Sequence, residues 1–258
     1  MSRGEEYERF DREIEAMGVR IKDADSVKVR DDVFDDVTLM ALYGLVHKKL
    51  ISVIGGPIST GKEANVFYGE RDGQGIAIKI YRIRTANFKA MTEYLAGDRR
   101  FSNVRGTRKG LIFAWTKKEF SNLARASDAG IPVPKPLAFD RNILLMEFLG
   151  RDEAPYPQLR NAEVEDYAAV YHEILGYVER LYREARLVHA DLSEYNILYH
   201  EKPYLIDMGQ AVTLDHPRAS AFLIRDIKNL NRYFSRHCDV QDEQEIIKTL
   251  VGTERREP

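Results

Sequence analysis

The chain is short of cysteine, of net charge and of long apolar runs, and each shortage excludes something. Cys238 is the single cysteine among 258 residues, so no internal disulfide can form and a reducing, cytoplasmic setting is expected. A formal net charge of −2 leaves no global field to attract nucleic acid or an anionic membrane, so any such contact must be local. No window approaches the roughly 18 consecutive apolar residues of a membrane span. The N-terminal MSRGEEYERF is charged and lacks the apolar core of a signal peptide. No internal repeat is present. What remains is globular: 44% hydrophobic residues, enough for a core, beside a high 31% charged.

The densest chemistry lies in residues 188–209, VHADLSEYNILYHEKPYLIDMG. Ile197–Tyr199 and Tyr204–Ile206 read as two short strands around a turn. With a four-residue loop, Tyr199 would face Tyr204 and Asn196 would face Asp207, about 5 Å apart at Cβ. An amide oxygen and a carboxylate so placed suit Mg2+, which takes a few protein oxygens and keeps its other positions for phosphate and water. Asp191, just upstream, is free to orient a hydroxyl or a water. H-x-D-x-x-x-x-N followed by a strand and D-x-G is the kinase arrangement of base, metal amide and metal carboxylate.

A nucleotide site is expected upstream. Residues 56–62, GPISTGK, satisfy the first seven positions of a Walker A loop, but Glu63 stands where a Ser or Thr should bind Mg2+. The following Asn65-Val-Phe-Tyr is β-prone, whereas a Walker A loop opens into a helix. The better reading is strand, polar loop, strand, turn at Arg71-Asp72-Gly73, strand. Ser59, Thr60, Gly61, Lys62, Glu63, Ala64 and Asn65 then lie over the phosphates; taken alone, the segment is equally a plain hairpin. Ala77-Ile78-Lys79 matches the kinase strand lysine. Glu119, on a helix expected over 112–129 with Trp115 and Leu123 on one stripe, is its candidate partner. Strands are expected at 135–139 and 142–148. The second runs into Leu149-Gly150 as a hinge would, with the Glu147 carbonyl and Leu149 N–H available to an adenine edge and Met146 limiting pocket depth.

Three further segments frame this. Residues 5–17 predict a short helix, and Val33, Phe34, Val37, Met40, Ala41 and Val46 predict a second. Residues 84–110 carry Arg84, Lys89, Arg99, Arg100, Arg105, Arg108 and Lys109 against Glu93 and Asp98. They read as a flexible basic insertion with a short helix near 86–95, either solvated or bound to RNA or substrate phosphate. Residues 161–186, 217–235 and 242–251 read as helices. Asp226, on the second of these, is a candidate to hold backbone N–H groups of the 189–192 loop. The expected class is α+β: a two-lobed, protein-kinase-like fold. It would have N-terminal helices (1–51) packed on a small antiparallel-sheet lobe (52–149), then a reduced, mainly helical lobe (150–258).

Together, S-T-G-K-E-A-N-V-F (59–67), I-A-I-K-I-Y (76–81), K-E-F (118–120), M-E-F (146–148), H-A-D-L-S-E-Y-N (189–196) and I-D-M-G-Q (206–210) resemble the RIO family of atypical serine/threonine protein kinases, in its first-type branch. The resemblance implies Asp191 as proton acceptor, Asn196 and Asp207 as metal ligands, Lys79 and Glu119 as an ion pair, and Glu147 and Leu149 at adenine. It implies ATP with Mg2+ (Mn2+ as a substitute), a protein substrate or the enzyme itself, and a role in small-ribosomal-subunit maturation with its RNA. Ala190 replaces the Arg of H-R-D, so control through a phosphorylated activation loop is not expected. The residues given after Asp207 are expected to be too few for a peptide-docking platform. Water or an enzyme carboxylate could then compete for the phosphate, and Asp207 is the candidate for a transient aspartyl-phosphate and for ATPase activity. A small-molecule kinase of the aminoglycoside or choline type, and an RNA-binding assembly factor that uses ATP as a switch, are the competing readings.

Overall fold

The computed structural model describes residues 35–83, 86, 88–101 and 106–252, and the backbone of 20–21. The helix expected over 5–17 lies outside them, as do Val33, Phe34, Arg84 and Arg105. By contact the chain divides into two compact units. One holds Met1–Lys89, Val104–Phe120 and Lys135–Pro155; the other holds Ala90–Asn103, Ser121–Pro134 and Tyr156–Pro258.

The first unit is a sheet with one helix on its apolar face. β1 (Arg20–Ile21), a strand that the sequence pattern does not announce, pairs in parallel with β2 (Val53–Thr60). The rest is antiparallel: β2, β3 (Ala64–Arg71), β4 (Gln74–Tyr81), β6 (Ile143–Glu147) and β5 (Pro136–Asp140), in that spatial order. The β3–β4 connection is Asp72-Gly73 with both residues at positive φ, the two-residue hairpin turn expected of Asp-Gly. Alternation sends Ile76, Ile78 and Ile80 to one face, where they join Phe67, Ile143 and Leu145. α1 (Asp36–His47) closes that face with Ala41, Leu42 and Leu45. Asp35 caps it, its carboxylate accepting from Thr38 N at 2.9 Å. Met40, expected on the apolar stripe, instead faces solvent at 60% exposure; the buried stripe runs through Thr38, Ala41, Leu42 and Leu45 because these point toward the sheet.

In the second unit, α4 (Tyr167–Arg183) buries Val170, Tyr171, Ile174, Tyr177, Val178 and Leu181. It starts later than the apolar pattern suggested, because the Asp166 carboxylate caps Ala169 N at 2.9 Å. α5 (Ala219–Phe234) and α6 (Glu243–Gly252) follow. Between α4 and α5 the chain forms two small antiparallel pairs. β9 (Leu187–Val188) pairs with β12 (Val212–Thr213), and β10 (Ile197–His200) pairs with β11 (Lys202–Leu205).

The basic insertion is corrected in part. Over 88–101 it is not a loose loop: α2 (Phe88–Ala96) buries Met91 and Leu95, one turn apart. A 3-10 turn at Arg99–Phe101 then buries Phe101. The short helix expected near 86–95 is therefore present, and its two apolar side chains anchor it. α3 (Arg108–Asp128) begins a turn earlier than expected. No described helix is long and apolar enough to cross a membrane.

Asn142, fully buried, ties α1 to the sheet: its Nδ2 donates to Thr38 Oγ1 at 2.8 Å and to the Tyr81 carbonyl at 2.9 Å. Asn142→Ala leaves that carbonyl and hydroxyl without their buried donor. It should cost about 1–3 kcal/mol in urea unfolding, whereas removing the exposed Met40 side chain (Met40→Ala) should change stability by less than about 0.5 kcal/mol.

Candidate active site

In the first unit the side of β4 opposite α1 carries Ala77, Lys79 and Tyr81. Lys79 Nζ donates to Glu119 Oε1 at 2.7 Å, and the Tyr81 hydroxyl donates to Glu119 Oε2. The Lys79 ammonium also stands 5.3 Å from the Tyr81 ring centroid. Lys79 and Glu119 are 7% and 1% exposed. A buried pair is tolerable only when its remaining lone pairs find donors, and here each carboxylate oxygen has one. Trp115 and Leu123, one turn either side of Glu119, are buried with it. Tyr81 was not anticipated, although its place two residues beyond Lys79 on the same strand face was a usable signal.

The loop after β2 is a turn between strands and not the start of a helix. Ser59 and Thr60 pair with Val66 and Asn65, Gly61 N donates to the Ala64 carbonyl at 2.9 Å, and the Glu63 carbonyl accepts from Arg82 N at 2.9 Å. Ser59, Thr60, Gly61 and Lys62 are exposed, Glu63 and Ala64 half-buried, and Asn65 buried. Arg82 Nη2 donates to Asn65 Oδ1 at 2.9 Å, while Asn65 Nδ2 has no partner. A buried amide donor left over in this loop fits an incoming acceptor such as a phosphate oxygen. At the end of β6, Glu147 is exposed and its N–H donates to the Lys135 carbonyl at 2.8 Å; Met146 is half-buried and Leu149 buried. Gly150 then enters a hairpin of β7 (Gly150–Arg151) and β8 (Ala154–Pro155), where a Cβ would collide with the Ala154 carbonyl.

In the second unit the β10–β11 register differs from the expected one by a residue. Ile197 faces Leu205, Tyr199 faces Pro203 and His200 faces Lys202. Glu201, at φ 61°, makes the turn in less chain than a four-residue loop. Asn196 therefore faces Ile206, whose N–H donates to the Asn196 carbonyl at 3.0 Å, and Asp207 is one residue beyond the ladder. A slip of one residue turns a side chain to the opposite face. Asp207 escapes that consequence because its own φ of 62° takes it out of the strand. It remains close enough to Asp191 to help raise that carboxyl's pKa.

Asn196 and Asp191 meet directly. Asn196 Nδ2 donates to the Asp191 carbonyl at 2.8 Å and to Asp191 Oδ2 at 3.0 Å, and Gln210 Nε2 adds a third donor at 3.2 Å. Burial, then the neighbouring Asp207 charge, push the Asp191 carboxyl above its ordinary range, against the Asn196 hydrogen bond and Arg225. That direction favours proton acceptance. With its Nδ2 so engaged, the Asn196 amide has an oxygen that could serve a cation. Among the described residues no three His, Cys, Asp or Glu side chains converge as a metal cage. An Asn–Asp pair completed by phosphate and water is the Mg2+ pattern.

The loop itself is held from α5. Asp226, 1% exposed, accepts from Ala190 N through Oδ2 at 2.7 Å and from Leu192 N through Oδ1 at 3.0 Å, as expected of it. Burial pushes its carboxyl up to about 7, against those two donors and Arg225. Arg225, also not anticipated, donates to the Ala190 carbonyl. His189 is buried with Nε2 3.0 Å from the Ile206 carbonyl; a carbonyl only accepts, so Nε2 carries the proton. Burial lowers the His189 pKa to about 4, which keeps the ring neutral.

A model of the RIO domain matches residues 65–246. The chain is 44% identical over 248 residues to the RIO-type serine/threonine-protein kinase Rio1 of Haloferax volcanii, covering 95% of this chain and 85% of that protein. It is 37% identical over 260 residues to Rio1 of Methanocaldococcus jannaschii, covering 98% and 88%. Against the human serine/threonine-protein kinase RIO1 the identity is 40% over 232 residues, 88% of this chain but 41% of that longer one. Among solved structures, the Rio2 kinase–ADP/Mg2+–phosphoaspartate complex of Chaetomium thermophilum superposes with a TM-score of 0.66 at 25% identity, covering 84% of this chain and 67% of that chain. The expected α+β, protein-kinase-like class therefore holds, and the chain belongs to the RIO family of serine/threonine protein kinases.

Proposed function

We propose that this kinase transfers the γ-phosphoryl group of ATP, with Mg2+ or Mn2+, by means of the residues just described. The observation that carries the reading is the Asn196 amide, turned onto Asp191 by two hydrogen bonds so that its oxygen is left for a cation beside Asp207. Asn196 and Asp207 would hold the metal, which neutralises phosphate charge when bound. Lys79, oriented by Glu119 and Tyr81, would engage phosphate oxygens. The turn from Ser59 to Asn65 would cover them, the Asn65 N–H adding a donor. The Glu147 carbonyl and Leu149 N–H would receive adenine against Met146. Asp191 would accept the proton of the attacking hydroxyl, a role its raised pKa supports.

ATPase activity belongs to the same proposal. A carboxylate oxygen of Asp207 attacks the γ-phosphorus, the bond to the β–γ bridging oxygen breaks, and ADP leaves. Water deprotonated by Asp191 then attacks the phosphorus of the acyl phosphate, releasing inorganic phosphate and restoring the Asp207 carboxylate. The exposed placement of Asp207 and its left-handed backbone support access, and the solved Rio2 complex holds phosphoaspartate with ADP/Mg2+. We also propose cytoplasmic action on the maturing small ribosomal subunit. Exposed Lys89, Arg99, Arg108 and Lys109 support contact with its RNA.

Three outcomes test these assignments. Asp191→Ala should lower phosphoryl transfer by at least about 100-fold while ATP affinity, measured by equilibrium titration, stays near wild type; unimpaired turnover removes the base role. After one turnover with γ-labelled ATP, the label should be released by hydroxylamine in wild type and absent in Asp207→Asn. Label that resists hydroxylamine leaves Asp207 without a phosphate-accepting role. Replacing Arg99, Arg108 and Lys109 by Gln should flatten the salt dependence of binding to a single-stranded RNA by about 0.7 per lost contact; an unchanged slope rejects the RNA surface.

A further inference from the structure

Asp207 precedes a short segment, Met208–Ala211, that belongs to no strand. A carboxylate at the start of such a segment is only as well placed as the backbone behind it. Inside the segment Ala211 N donates to the Met208 carbonyl at 3.2 Å. Gln210 is tied to Asp191 through its side chain, and a further restraint comes from α3. Asn122, fully buried, donates through Nδ2 to the Met208 carbonyl at 2.9 Å and to the Ala211 carbonyl at 2.8 Å. One amide nitrogen thus bridges the two ends of the segment.

An amide can bridge two carbonyls in only one of its two orientations. Flipped, it would set its oxygen against two carbonyl oxygens in a buried site. Arg100, a pure donor, opposes the flip from the other side: its Nη2 donates to Asn122 Oδ1 at 2.9 Å. Arg100 is itself locked. Its Nε lies 2.9 and 3.2 Å from the two oxygens of Asp98, and its Nη2 lies 2.6 Å from Asp98 Oδ2. Asp98 is 1% exposed and also accepts from Arg100 N at 3.1 Å. Arg100 Nη1 reaches Ser121 Oγ at 3.2 Å. The planar fork of a guanidinium serves the Asp98 carboxylate and the Asn122 amide oxygen at once, which a lysine ammonium cannot reproduce.

We propose that Arg100 and Asn122 are positioning residues for phosphoryl transfer. Asp98 holds Arg100, Arg100 sets the orientation of Asn122, and Asn122 fixes Met208–Ala211 and hence the carboxylate of Asp207. This rests on the assignment of Asp207 to the metal and phosphate chemistry. It gives Asp98 and Arg100 of the basic insertion a task inside the enzyme, and it removes Arg100 from the cations free to meet RNA.

The test compares Arg100→Leu, Arg100→Lys, Asn122→Asp and Asp207→Asn. Asn122→Asp keeps an acceptor for Arg100 but turns an oxygen toward two carbonyls. It should raise the Mg2+ concentration for half-maximal activity and lower kcat, each by about 10-fold or more, with the KM for ATP at saturating Mg2+ within about twofold of wild type. Arg100→Leu, at a side chain 26% exposed, should move both quantities the same way by less, and Arg100→Lys should recover part of the loss. Without nucleotide or metal, backbone amides of 206–212 should exchange faster in Arg100→Leu while those of α4 keep their protection. If Asn122→Asp does not fold, the Arg100 pair decides. Wild-type Mg2+ dependence and kcat in Arg100→Leu, beside an inactive Asp207→Asn, overturn the relay and leave the Asp207 assignment standing. Loss of protection spread evenly over the chain also overturns it, because Arg100 would then be a residue of general stability. Full activity in Asp207→Asn overturns the assignment and the relay together.

Discussion

The loop that carries Asp191 depends on one buried carboxylate. Asp226 spends both of its oxygens on main-chain N–H groups, Ala190 and Leu192, which flank Asp191 on either side. The loop has no ladder to satisfy these donors, and an orphaned buried N–H costs about as much as the hydrogen bond it forgoes. The left-handed φ of 64° at Ala190 is a conformation that a residue with a Cβ keeps only when its surroundings impose it. Asp226 at the Ala190 N–H and Arg225 at the Ala190 carbonyl supply the imposition. In the H-R-D arrangement the middle residue brings a cation on its own side chain. Here Ala190 has none, and α5 provides the nearby guanidinium instead.

The same device recurs in the other unit with the roles exchanged. Glu119 is a buried carboxylate whose two oxygens are taken by side chains, Lys79 and Tyr81, on one face of β4. Both carboxylates are nearly inaccessible, so each is expensive to hold ionised unless every oxygen has a donor. Such groups organise their surroundings because any displacement would uncover an unsatisfied charge. Asn122, a turn further along α3 than Glu119, does the neutral version of this for Met208 and Ala211.

Much of this was legible because it rests on local rules. Asp-Gly announced the β3–β4 turn, alternation set Lys79 on its face of β4, and Asp226 stood out as an acid on an apolar-rich helix. The spacing of His189, Asp191, Asn196 and Asp207 pointed to one loop and one hairpin, but Asn196, expected opposite Asp207, pairs with Ile206 and turns its amide to Asp191. The register of that hairpin was not legible. Glu201 adopts a left-handed conformation that its side chain does not advertise, and one residue of loop length moves the whole ladder. In residues 88–101 the helix was legible, but the turn at Arg99–Phe101 and its burial were not. Seven basic residues between 84 and 109 dominate its composition, while two apolar side chains a turn apart, Met91 and Leu95, do the anchoring.

What the sequence by itself determined is therefore the class of chemistry and the chain positions expected to carry it. Residue type and spacing along a strand, turn or helix are local properties, and the donors, acceptors and acids of a phosphotransferase site must recur in a narrow pattern. What only the tertiary structure decided is which long-range partner completes each group: Tyr81 for Glu119, Arg225 for the Ala190 carbonyl, Arg100 and Asn122 for the segment behind Asp207. These pairs join residues up to 89 positions apart. Their formation depends on burial and on the direction of individual N–H and C=O bonds, quantities that exist only once the chain has closed on itself.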